Sequence, residues 1–102
     1  MVDSKSDEEF LKRTQRPSES IQVYDLEGSE IQTIRIYLPE ATKVRLRIFD
    51  NSGAEIYTSA TYFYQDHGDH YKRINTHQLA AGVYTVQMDT PSGSYRDKMT
   101  VL

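Results

Sequence analysis

Leu79-Ala80-Ala81-Gly82-Val83-Tyr84-Thr85-Val86 is followed by Pro91-Ser92-Gly93-Ser94 and then by Lys98-Met99-Thr100-Val101-Leu102. After Gly82, Val83 and Thr85 alternate with Tyr84, Val86 and Met88, which is the two-residue period of a half-buried strand. Pro91-Ser92-Gly93 supplies a chain reversal before the next alternating run. The stretch therefore predicts a β-hairpin, and the same grammar extends upstream.

Seven strands are expected after Glu19: Ile21–Leu26, Ile31–Leu38, Lys43–Asp50, Glu55–Tyr64, His70–Thr76, Val83–Asp89 and Tyr95–Val101. Turn residues punctuate them at Glu27-Gly28-Ser29, Pro39-Glu40-Ala41, Asn51-Ser52-Gly53, Asp66-His67-Gly68-Asp69 and Ala80-Ala81-Gly82. Short strands at this spacing, with no helical period between them, argue for an all-β antiparallel sandwich and against parallel βαβ units. In the second and third strands Ile34, Ile36 and Leu38 with Val44, Leu46 and Ile48 form an apolar face. Thr33, Arg35 and Tyr37 with Lys43, Arg45 and Arg47 form the opposite, polar face. Two such sheets facing each other give an immunoglobulin-like sandwich.

The chain has 102 residues and is 37% apolar, enough for one domain at 20–102 and no second core. Its net charge of −3 argues against a nucleic-acid coat. It has no cysteine, so disulfides, thiol nucleophiles and thiolate zinc sites are excluded. Residues 1–19 are charged and nearly free of β-branched side chains, and they read as a flexible tail or linker. Within that tail Ser6 and Glu9 have capping-box spacing, and Glu8–Lys12 and Glu9–Arg13 are i,i+4 pairs. No apolar run is long enough to span a bilayer, so no membrane insertion is expected. Met1–Lys5 leads into no signal-peptide stretch, which reads as a processed or excised module or a cytoplasmic chain.

Five pieces in order carry a family resemblance. They are Thr33-Ile34-Arg35-Ile36-Tyr37-Leu38-Pro39-Glu40, Val44-Arg45-Leu46-Arg47-Ile48-Phe49-Asp50-Asn51-Ser52-Gly53, Gly68-Asp69-His70, Leu79-Ala80-Ala81-Gly82-Val83-Tyr84 and Lys98-Met99-Thr100-Val101-Leu102. Residues 20–102 thereby resemble the C-terminal sorting domains of the type IX secretion system and the related immunoglobulin-like domain of flagellar hook-capping proteins. The resemblance departs at Tyr24-Asp25-Leu26-Glu27, where the family usually has an Asn-Pro pair. It implies a secreted or cell-surface protein of the Bacteroidetes type, whose terminal module an outer-membrane translocation machinery reads. The expected partner is a protein, either that machinery or a cargo in cis.

A receptor reads an exposed hairpin through strand addition and alternate side chains, and Gly82, Tyr84 and Lys98 are the candidate recognition positions. Each also has a structural role open to it: a turn, a core ring and a protected strand edge. Arg35, Tyr37, Arg45 and Arg47, with Lys43 and Tyr57 beside them, form a candidate face for a partner protein or a glycan. A binding accessory module and a structural spacer are the alternative readings. Asp66-His67-Gly68-Asp69-His70 gathers carboxylates and imidazoles, but its spacing matches no metal motif and reads as the approach to the fifth strand. No cofactor or metal is expected. Nucleophile elbow, phosphate loop and dinucleotide fingerprint are all missing from the sequence, so no enzymatic activity is expected.

Overall fold

The computed structural model describes residues 18–24 and 30–102. Residues 1–17 of the tail, with the Ser6–Glu9 spacing, lie outside the described residues, as do Asp25, Leu26 and the Glu27-Gly28-Ser29 turn. Eight strands follow in order: β1 (Ser20–Tyr24), β2 (Ile31–Leu38), β3 (Thr42–Phe49), β4 (Glu55–Thr58), β5 (Tyr62–Tyr64), β6 (Gly68–Asn75), β7 (Gly82–Thr90) and β8 (Gly93–Val101). They build two antiparallel sheets, one ordered β1-β2-β6 and the other β4-β3-β7-β8, with β5 also on β3. The result is an all-β sandwich.

Alternation decides which side chains meet between the sheets. Ile34, Ile36 and Leu38 of β2 are wholly buried, and they face Val44, Leu46 and Ile48 of β3 together with Tyr84, Val86 and Met88 of β7. Met99 and Val101 of β8 complete this core. Each fully buried aliphatic side chain contributes about 1.5–3 kcal/mol, so the inner faces dominate the fold's stability.

The expected strand Glu55–Tyr64 is two strands, which raises the count from seven to eight. Ser59 causes the interruption. Its backbone N–H donates to Leu46 O at 2.8 Å, while its Oγ accepts the Leu46 N–H at 2.9 Å. A side-chain oxygen thus substitutes for one rung of the ladder, and the chain leaves the strand path between β4 and β5. β3 consequently pairs with β5 at Thr42–Val44 and with β4 at Arg47–Phe49 along one edge.

Three turns position the surfaces considered below. Between β3 and β4, Asp50 Oδ1 accepts the Ser52 N–H at 2.9 Å, the Ser52 hydroxyl at 2.6 Å and the Ala54 N–H at 3.0 Å. This Asx turn places Gly53 at φ +89°, a conformation suited to glycine. Ahead of β7, Thr76 is buried and fixes the β6 end: its N–H and hydroxyl donate to Glu30 O at 2.6 and 2.9 Å. The β7–β8 hairpin closes over Pro91 and Ser92, with Thr90 opposite Gly93.

Glu19, just ahead of β1, packs against that last turn. It is 8% exposed and accepts a 2.6 Å hydrogen bond from Thr90 and another from Ser92. Burial pushes its pKa up, but hydrogen bonds from Ser92, Thr90 and Tyr95 outweigh that penalty and hold it below the usual value.

Candidate functional site

β7 and β8 are nine-residue strands paired without a register shift from Gly82 opposite Val101 to Thr90 opposite Gly93. β8 pairs with β7 alone and is an edge of the five-stranded sheet. The three hairpin candidates occupy different positions on it. Gly82 starts β7 at φ +155°, a backbone conformation that L side chains rarely adopt. Tyr84 points inward and is 7% exposed; its ring joins the core while its hydroxyl donates to Ala80 O at 2.6 Å. Lys98 is exposed on the outward face, opposite Thr85. Gly82 and Tyr84 thus shape the hairpin, whereas Lys98 is displayed by it.

The arginine face is not one surface. Arg35 and Tyr37 lie on β2 in the three-stranded sheet, whereas Arg45 and Arg47 lie on β3 in the five-stranded sheet. Because the two sheets pack inner face to inner face, their outward side chains stand on opposite sides of the sandwich. The alternation of each strand is readable in sequence; the change of sheet at Pro39-Glu40-Ala41 is not. Arg35 contacts Asp69 of β6, with Nε and Nη2 each 2.9 Å from Oδ1.

Arg45 and Arg47 meet at Asp89. Arg47 Nε donates to Asp89 Oδ2 at 2.7 Å and Arg45 Nη2 to the same oxygen at 3.3 Å. Gln87 Nε2 and Ser94 Oγ donate to Oδ1, each at 2.7 Å. Burial alone raises the Asp89 pKa, but hydrogen bonds from Arg47, Gln87 and Ser94 with the charge of Arg47 carry it well below the usual carboxylate range. Arg47 also contacts Glu55 at 3.5 Å, and its guanidinium lies 5.3 Å from the Phe49 ring centroid. Gln87, only 2% exposed although it points outward, passes the network to β8 by accepting from Arg96 Nε at 2.6 Å. Asp89, Gln87 and Arg96 are the polar residues that a reading of β2 and β3 alone misses; period-two alternation along β7 and β8 finds them.

The Asp66–His70 segment is absorbed by local structure. His70 Nε2 lies 2.8 Å from Asp66 O, its ring is 4.6 Å from that of Tyr64, and the Asp69 carboxylate serves Arg35. Tyr62 and Tyr64 share Lys72, whose Nζ lies 4.9 and 5.9 Å from their ring centroids. Tyr57 and Tyr71 are exposed on β4 and β6.

The described residues thus form a small sandwich with one long edge hairpin and arginines networked on its sheet faces. Residues 32–102 match the family described as the secretion system C-terminal sorting domain, and the chain belongs to that family. The match covers the type IX side of the resemblance seen in the sequence and not its flagellar hook-capping side. No curated protein matches the chain. Among the described residues no helix is long and apolar enough to cross a membrane.

Proposed function

We propose that this chain is a non-catalytic sorting module of a secreted or cell-surface protein, recognised by an outer-membrane translocation machinery through the β7–β8 hairpin. The observation that carries the reading is the coincidence of the family match with a continuous hairpin on a sheet edge. Such a hairpin offers alternate outward side chains for selectivity, and its edge offers backbone groups for strand addition where β1, held to Asp97 through the Val23 N–H, does not flank it. Gly82 and Tyr84 hold the hairpin's shape in this reading, and Lys98 is its displayed charge. Deletion of Gly82–Val101 in the native context should leave the attached cargo inside the cell, measured by fractionation and surface labelling. Cargo reaching the surface at the normal level without the hairpin would sink the idea.

A further inference from the structure

We propose that the outward face of the β7–β8 hairpin is a docking recess for an acidic segment of a partner protein, held by Arg96 and Lys98. The proposal rests on the sorting reading above and specifies the chemistry of the partner. The recess has a volume of about 420 Å³; Phe49, Val83 and Thr85 line it, Arg96 and Lys98 stand at its β8 side, and the β3–β4 turn forms its other wall.

Strand register explains why these two cations are available. Along the five-stranded sheet the row through Arg45 contains Asp89, and the row through Arg47 contains Gln87 and then Arg96. The next row is Phe49, Thr85 and Lys98, with Glu55 of β4 beyond Phe49 at its far end, where it pairs with Arg47. On β7 the residue opposite Arg96 is Gln87 and the one opposite Lys98 is Thr85, so the strand beside these two cations supplies neither with an acid. Arg35 has Asp69, Arg45 has Asp89, and Arg47 has both Asp89 and Glu55. No carboxylate among the described residues lies within ion-pair distance of Arg96 or Lys98. Gln87 fixes Arg96 by one nitrogen without neutralising it.

The opposite wall contributes one carboxylate, Asp50, whose Oδ1 accepts three hydrogen bonds within its own turn. Two cations thus face one carboxylate, which leaves the recess an excess of one positive charge. Phe49 and Val83 provide apolar surface for the methylene stem of a glutamate, while Arg96 and Lys98 provide donors for its carboxylate. The net charge of −3 over the whole chain works against a long polyanion, which would meet repulsion beyond the recess. A short acidic stretch of a folded partner does not.

The test is a nuclear magnetic resonance titration of the full chain with hexaglutamate peptide, paired with an export assay in the native context. Amide shifts should concentrate at Phe49, Thr85, Arg96, Lys98 and residues 50–53, and fade as ionic strength rises. In the Arg96→Gln/Lys98→Gln double variant the affinity should fall at least about fivefold; the Lys98→Gln single variant, which breaks no side-chain bond, should weaken binding with the unfolding midpoint unchanged. Export should fall with it, whereas Arg96→Lys/Lys98→Arg should export normally. No shifts in the wild type, or equal shifts in the neutral variant, would overturn the proposal. Normal export of the neutral variant while the hairpin-deleted chain is retained would also overturn it, leaving the sorting reading intact. Normal export after hairpin deletion would remove the sorting reading itself.

Discussion

Asp89 accepts from Arg45, Arg47, Gln87 and Ser94, so one carboxylate organises four side chains from three strands. Its folded pKa lies below the ordinary carboxylate value because donated hydrogen bonds and the Arg47 charge overcome burial. The folded protein therefore holds this proton less tightly than the unfolded chain. The resulting stability is fully present above about pH 4 and is lost as pH falls through the lower folded pKa. Asp89→Asn should cost about 1–3 kcal/mol at neutral pH in urea unfolding. The gap to wild type should narrow steadily below about pH 4; a gap independent of pH would contradict this account. Tyr84 offers a second test, since its ring is in the core and its hydroxyl donates to Ala80 O. Tyr84→Phe should lower stability by about 0.5–1.5 kcal/mol and leave export unchanged. A large export defect at unchanged stability would give the hydroxyl a direct recognition role.

The elements show how a single polar side chain redirects a strand. Glu55–Tyr64 has the composition of one strand, rich in tyrosine and β-branched residues, and nothing in that composition marks a break. Ser59 makes the break because its hydroxyl captures the Leu46 N–H that a continuous ladder would have used. Ser59→Ala leaves that part-buried N–H without its partner, and a cost of about 1–3 kcal/mol is expected. Hydrogen exchange should show lost protection centred on Leu46; unchanged exchange there would mean that backbone pairing, not the hydroxyl, sets the geometry. The hairpin behaves differently, for its turn residues and its alternation specify the same pairing.

For the molecule as a whole, the contacts between sheet edges matter most on the β1 side. The Val23 N–H on β1 donates to the Asp97 carboxylate of β8 at 2.7 Å, bridging the two sheets. Glu19 fastens the approach to β1 onto Thr90 and Ser92 at the β7–β8 turn. These are long-range polar clasps on a small core, so their loss should loosen β1 before the rest of the sandwich. Asp97→Ala is expected to raise exchange at Val23 and Ile21 while Met88 and Val86 stay protected, with a global loss of about 1–3 kcal/mol. Uniform loss of protection throughout would show that β1 and the central strands unfold together.

The sequence by itself determined the class of fold, the inward residues of β2, β3 and β7, and the turns at Asn51-Ser52-Gly53 and Pro91-Ser92-Gly93. Period-two alternation and turn chemistry are local properties, and burial follows them. It also carried the family resemblance, because ordered strand-and-turn pieces are visible without coordinates. Only the tertiary structure decided that Arg35 and Arg45 stand on opposite sides of the sandwich, since the exchange of sheets between β2 and β3 is a long-range event. Register across β7 and β8 then decided which cations acquired carboxylates. Arg45 and Arg47 found Asp89, while Arg96 and Lys98 were set opposite Gln87 and Thr85, a distinction that depends on neighbours brought together by pairing rather than by proximity in the chain.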